Sequence, residues 1–216
     1  MHALVVFQGL NAGGGEAMIG YSFPNLLIDH AMRNPHVPPG FWRGVNLNQN
    51  ALYLECFVDE IAHATRQDPL ALRRKLMARH PKHLAVLNAV AERAGWGRPA
   101  PDVKGMKVYR GLSQTHGFGS YVAACAEVSV TADGELMIHR IVAATDCGHA
   151  VNPQQIEAQI EGSFVYGLGA ALFQACTVKD GAIEQKNFDT YPCLKLAHMP
   201  KVESIVMPSG GFWGGV

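Results

Sequence analysis

The sequence predicts an α+β fold, a helical lobe followed by antiparallel hairpins packed with a long glycine-bearing helix. Three observations predict it. Apolar residues recur at a helical period from residue 49 to about 95. The pattern then changes to alternation after a proline- and glycine-rich stretch at 97–104. Two pairs, Asp68-Pro69 and Asn152-Pro153, join a good N-capping residue to a proline suited to the first helical position. The chain divides accordingly into a loop-rich lead-in at 1–40, a helical lobe at 41–96 and an α+β portion at 105–216.

The lead-in is punctuated by Gly13-Gly14-Gly15 and by Pro35, Pro38 and Pro39. The triple glycine suggests a phosphate loop, but no lysine or threonine follows it, and a linker or turn is the better reading. From Gln49 to Arg66, Leu52, Cys56, Phe57, Ile61 and Ala64 fall at helical spacing, with Glu55, Asp59 and Glu60 between them. A second helix starts at Asp68-Pro69 and runs to about Met77, with Leu70, Leu72 and Leu76 inward. A third runs from Pro81 to Gly95. Beyond the linker, Tyr121 to Val130 reads as a strand, Ala132-Asp133-Gly134-Glu135 as a hairpin turn and Leu136 to Val142 as its partner. The segment Thr115–Ser120 before it reads as a loop. The Asn152-Pro153 helix carries Gln155, Glu157, Gln159 and Glu161 before Gly162, Gly167 and Gly169. A second hairpin turns at Lys179-Asp180-Gly181-Ala182, and Val202 to Met207 supplies the last strand of an antiparallel sheet.

Composition excludes several function classes. The 216 residues can bury a core in one domain or two small ones. Formal charge is zero and charged residues are only 17%, so no basic footprint for nucleic acid or an anionic membrane exists. Apolar residues make up 48%, yet no run approaches the roughly 20 that span a bilayer. Low charge with high glycine suggests surfaces covered by other protein. Five scattered cysteines without a C-x-x-C pair argue against a disulfide framework and fit small buried apolar groups. Ten histidines contain neither H-E-x-x-H nor a close H-x-H pair, so no protein-ligated metal is expected. Met1–Phe7 lacks the basic start and the apolar length of a secretion signal.

The stretch Asp146–Gly169 is the most informative of the chain. Its glycines either let two helices approach closely or leave a face for a polar, phosphate-bearing cofactor, with Gln159 as an amide that both donates and accepts. Phe41-Trp42-Arg43-Gly44 offers a fixed fork of donors beside a glycine that permits close backbone approach. The bland alternative is an arginine stacked on Trp42 at a lobe junction. In Thr115-His116-Gly117-Phe118-Gly119-Ser120, His116 reads equally as a proton relay and as a surface histidine.

These blocks together resemble the large subunit of the molybdenum hydroxylases, the xanthine dehydrogenase and aldehyde oxidase superfamily. Within it they are most similar to the branch typified by the larger polypeptides of isoquinoline 1-oxidoreductases and by membrane-associated aldehyde dehydrogenases. The likeness runs in order through Gly40-Phe-Trp-Arg-Gly, Asn50–His63, Asp68–Arg74, Phe118–Ala123, Cys147-Gly, Gln159-Ile-Glu-Gly and Asn187–Pro192. It identifies 105–216 with a molybdopterin-binding portion. The cofactor it implies is molybdenum-molybdopterin held by its dithiolene, the cytosine dinucleotide being preferred over the simple pterin. Gln159 and Gly162 would contact that cofactor, Trp42, Arg43 and Gly44 would shape the metal pocket, and His116 and Phe118 would lie near substrate or cofactor. The family's catalytic glutamate would follow Val216, and no other glutamate here substitutes for it. Upstream cofactor loops are also unmatched, so the chain resembles an inactive fragment of a longer subunit.

The resemblance further implies oxidation of an aldehyde or N-heterocycle with oxygen drawn from water. Electrons would pass to iron-sulfur clusters on a small partner subunit and from there to a cytochrome c. Full-length relatives of this branch are periplasmic or membrane-associated, often behind a twin-arginine leader, and a cytoplasmic site stays open for this chain. Two rivals remain: a non-catalytic truncated paralogue acting in subunit assembly, and a nucleotide-binding module on the Asn152 helix, which lacks a glycine-rich loop before it.

Overall fold

The structure is a computed structural model that describes residues 19–27, 31, 40, 42–45 and 47–215. Met1–Phe7, the triple glycine, the proline cluster at 35–39, Phe41 and Val216 lie outside the described residues. Helices α1 (Leu47–Ala64), α2 (Pro69–Leu76) and α3 (Pro81–Ala94) form the first layer. Each boundary has a local cause. Asp68 accepts the Ala71 N–H at 2.9 Å and Pro69 occupies the first turn, where its missing N–H costs nothing. Gly95 ends α3 in the left-handed conformation, with its own N–H and that of Trp96 bonded back to Glu92 and Ala91.

The inward face of α1 differs from the one its apolar spacing predicts. Leu52, Cys56 and Phe57 are exposed, and Glu55, Val58 and Ala62 are buried. Glu55 turns inward because Arg73 of α2, wholly buried itself, meets its carboxylate at 3.0 Å. Tyr21 Oη at 2.7 Å and Gln114 Nε2 at 3.0 Å donate to the same carboxylate. A paired and fully hydrogen-bonded charge can occupy a core position that periodicity would assign to an apolar residue. The cysteines depart similarly: only Cys125 and Cys147 are buried, and Cys56, Cys176 and Cys193 face solvent.

The second layer is a sheet in the order β1-β2-β3-β6, made of β1 (Tyr109–Gly117), β2 (Ser120–Val130), β3 (Leu136–Asp146) and β6 (Lys201–Val206). Strand β1 corrects the expectation of a loop at Thr115–Ser120. It pairs with β2 down to Gly117↔Ser120, leaving a two-residue turn in which Phe118 and Gly119 both have positive φ. That backbone matches the twist of the flanking strands. The other hairpin expected, β4 (Val178–Lys179) with β5 (Ala182–Ile183), forms about Asp180-Gly181. The sheet is mixed where an antiparallel one was expected, because β6 runs parallel to β3. A parallel pair needs a crossover, and helix α4 (Pro153–Leu172) supplies it.

The two faces of the sheet have separate cores. Leu112, Tyr121, Ala123, Cys125, Val142 and Ala144 pack with the three-helix layer. Ala143 and Cys147 pack with Ile156 and Ile160 of α4, the third layer. No described helix is long and apolar enough to cross a membrane.

An alternating row of charges crosses all four strands on the α3 side. Arg110 meets Glu127 at 2.8 Å, Arg140 lies 3.4 Å from Glu127 and 2.9 Å from Glu203, and Arg93 and Lys201 close on Glu203 at 3.1 and 2.9 Å. Hydrogen bonds from Arg140 and then Lys201 hold the Glu203 carboxyl down at about 2. A depressed acid stabilises the fold above its unfolded value of about 4.3, and that contribution is lost as pH falls through about 2. Glu203→Gln is therefore expected to cost about 1 kcal/mol at pH 7 and progressively less as pH falls from about 4 toward about 2. Urea titrations across that range check it; a pH-independent loss would contradict it.

Candidate functional site

A groove opens on the α4 side of the sheet, built by three segments that the sequence keeps far apart. The helix itself is capped by Asn152, whose side chain accepts the Gln155 N–H at 3.3 Å, and Pro153 again takes the first turn. Only Ile156, Ile160 and Gly169 of its 20 residues are buried, so most of the helix surface is uncovered by the rest of the chain. Opposite it stand the Trp42–Val45 turn and the Phe118-Gly119 hairpin tip. The turn docks through Tyr166, whose ring lies 5.1 Å from that of Trp42 and 5.5 Å from the Arg43 guanidinium carbon. Arginine and tryptophan thus share a helix residue as their platform.

The smaller part of the groove, about 460 Å³, is lined by Arg43, Gly44, Phe118, Thr145, Gln159 and Ser163 among others. A wider part of about 770 Å³ adds Trp42, Leu47, Tyr166 and Gly167. The structure therefore gathers Trp42, Arg43, Gly44, Phe118 and Gln159 around one space. Gly162 sits a helical turn beyond Gln159, half-buried and outside that lining. His116 faces the other way. Its ring stacks on Tyr121 at 4.3 Å and lies 5.7 Å from the buried His83, among the three-helix core contacts. Period two in β1 explains this, since Thr115 and Gly117 take the groove face and His116 the opposite one.

The residues after β6 lie across the end of β3 and complete the wall. Met207 N–H bonds to Thr145 O, Gly210 N–H to Gly148 O, His149 N–H to Phe212 O and Gly214 N–H to Cys147 O, all at 2.9–3.0 Å. Gly215 N–H then reaches Phe118 O at 2.8 Å, and Ser120 Oγ donates to Gly215 O at 2.6 Å, which brings Gly215 into the groove. Asp146 anchors the turn by accepting from Gly148 N–H at 2.9 Å and Ser209 Oγ at 2.8 Å. Beside it, burial pushes the Cys147 thiol up, away from the thiolate form a nucleophile needs.

Ser163 and Tyr166 escaped the sequence reading although a signal existed: they stand four and seven residues after Gln159, on one helix face with Gly167, which the glycine pattern had marked. No described cluster of His, Cys, Asp and Glu has the makings of a metal site.

Known proteins resemble this chain along most of its length. A molybdopterin cofactor-binding domain matches residues 58–200. The beta polypeptide of isoquinoline 1-oxidoreductase from Brevundimonas diminuta is 29% identical over 200 residues, covering 92% of this chain and 26% of that protein. A nicotinate dehydrogenase polypeptide from Pseudomonas putida is 28% identical over 202 residues, 87% of this chain and 17% of that one. Membrane-bound aldehyde dehydrogenase (pyrroloquinoline-quinone) of Gluconacetobacter polyoxogenes is 26% identical over 187 residues, with coverages of 79% and 24%. The chain thus spans about a quarter or less of the length of these relatives. With the domain match extending over about two thirds of the sequence and including the whole of α4, the chain belongs to the molybdopterin cofactor-binding domain family of the molybdenum hydroxylases.

Proposed function

We propose that the α4 groove holds a molybdopterin cofactor and that the chain is the cofactor-binding part of a molybdenum hydroxylase large subunit. The observation that carries this reading is the convergence of Arg43, Phe118 and Gln159 on a helix face where Gly167, Ala170 and Ala171 keep side chains small. Gly167 lines that face, and a Cβ placed there would meet nothing within 4 Å. The residues fit the group. Anionic phosphate oxygens suit the Arg43 fork, a heterocyclic edge suits the two-way amide of Gln159, and the open helix face admits a flat ring system. When bound, the molybdenum centre supplies a Lewis acid and a two-electron redox couple. This chain's part is to bind, orient and shield: Phe118, Val122 and Ile160 give the groove apolar walls against which a ring system can pack.

For the intact enzyme we infer oxidation of an aldehyde or an N-heterocycle, the classes named in the relatives, with electrons leaving to iron-sulfur clusters on a small partner subunit and then to a cytochrome c. The same resemblance supports the cytosine dinucleotide form, the remainder of a longer large subunit as the covering partner, and work in the periplasm or at the membrane.

The reading is tested on the native-length polypeptide purified from its own host, by plasma mass spectrometry for molybdenum and by analysis of released nucleotide. About one molybdenum per large subunit, with cytosine nucleotide, is expected. A well-folded protein with neither would favour the assembly paralogue instead. Gln159→Leu is expected to lower cofactor retention about tenfold, the equivalent of one lost hydrogen bond of ~1.4 kcal/mol. Its thermal midpoint without cofactor should stay at the wild-type value, because the Gln159 side chain is exposed.

A further inference from the structure

The floor of the groove contains a hydroxyl with nothing to do. Thr145 is 2% exposed, on the groove face of β3, and its Oγ1 makes no hydrogen bond among the described residues. The other hydroxyls of this part of the groove are committed: Ser120 Oγ donates to Gly215 O and Ser163 Oγ to Ile160 O, each at 2.6 Å. Nor can Thr145 escape by moving. Its backbone is held between Val122 of β2 and Val206 of β6, its carbonyl accepts the Met207 N–H at 2.9 Å, and a β-branched side chain has few rotamers. A valine would have the same shape, would suit a strand buried on both sides, and would leave no polar atom idle. A buried hydroxyl without a partner destabilises the protein that carries it, and because Thr145 lines the groove a polar group seated there would offset that cost.

We propose that Thr145 Oγ1 is a binding contact for the group seated in this groove, hydrogen-bonding a polar atom that the bound pterin cofactor presents to the floor beneath Gln159. This inference rests on the proposed cofactor site and adds to it a residue on the sheet, so that the cofactor is gripped from helix and sheet together. Thr145 Oγ1 both donates and accepts, which suits a heterocycle edge better than it suits a metal.

The test uses Thr145→Val and Thr145→Ser in the native-length polypeptide from its own host, with two readouts. One is molybdenum and nucleotide retained per chain after timed gel filtration, and the other is the thermal midpoint of the cofactor-stripped form. Thr145→Val is expected to retain about tenfold less cofactor, the effect of one lost hydrogen bond. Its stripped form should melt at or above the wild-type midpoint. Thr145→Ser should restore retention. Wild-type retention in Thr145→Val would overturn the inference while leaving the cofactor site standing. A lower melting midpoint for stripped Thr145→Val, or failure of that variant to fold, would also overturn it, since the hydroxyl would then serve the empty fold. A wild-type protein that carries no cofactor would overturn both.

Discussion

Arg73→Leu is expected to cost about 3–5 kcal/mol and to leave the helical layer unfolded at moderate urea, the largest single effect in the molecule. The guanidinium is fully buried and spends its donors on four acceptors: the Glu55 carboxylate, the Glu55 and Pro69 carbonyls and the Asp59 carboxylate. Removing it strands a carboxylate that is only 4% exposed. Burial already raises the Glu55 pKa, and the opposing pull of Arg73 is the largest of the forces lowering it. Without Arg73 the acid is therefore pushed further up. The sign of the pH dependence follows. An acid whose folded value lies above its unfolded value of about 4.3 stabilises the fold while protonated, and that stability is lost as pH rises past the unfolded value. Arg73→Leu should accordingly lose more stability at pH 8 than at pH 5. Adding Glu55→Gln to it should recover part of the loss, since an amide oxygen still accepts from Tyr21 and Gln114 without carrying charge. Equal denaturation midpoints for the single and double variants would show that the stranded charge is not the cause.

Gly148→Ala is the second large effect, expected to cost at least about 2 kcal/mol. The glycine has φ +77, and a Cβ there would collide with the carbonyl oxygen of Phe212, which is backbone and cannot rotate away. That carbonyl accepts the His149 N–H at 3.0 Å, and the Gly148 carbonyl accepts the Gly210 N–H at 2.9 Å. The substitution should thus lift residues 207–215 from the end of β3 and draw Gly215 out of the groove. Faster proteolysis within 207–215 and loss of bound cofactor are the observables. Gly111→Ala, at an ordinary φ and with open space around a Cβ, is the control that should show neither.

How much of this was legible in the sequence depended on whether the deciding force was local. The starts of α2 and α4 were readable because Asp68-Pro69 and Asn152-Pro153 do their capping within a single turn. The direction of β6 was not, because it is fixed by where α4 crosses the sheet. Strand β1 was hidden by Gln114, which faces inward because its amide joins His83 to Glu55, and by His116, whose ring stacks on Tyr121 on the same face. For the site, the Trp42-Arg43-Gly44 turn, Phe118 and Gln159 came from family motifs, and the geometry brings them to one groove. His116 was in the same motif as Phe118 and went to the opposite face. Thr145 gave no signal, since a threonine in a strand is unremarked whether or not its hydroxyl is used.

The charge row across the sheet has a consequence for how the strands find one another. Arg140 and Glu203 are separated by 63 residues, with the whole of α4 between them, so β6 must choose its place on β3 late and without the guidance of a tight turn. Apolar side chains alone would tolerate a shift of two residues along β3, because that keeps the same face inward. The row does not. A two-residue slide would carry Glu203 away from Arg140 and Arg93 and would set Lys201 or Glu203 against the wrong neighbour. The ion pairs therefore act as an address label, rejecting misaligned arrivals of the strand whose correct seating carries residues 207–215 to the groove.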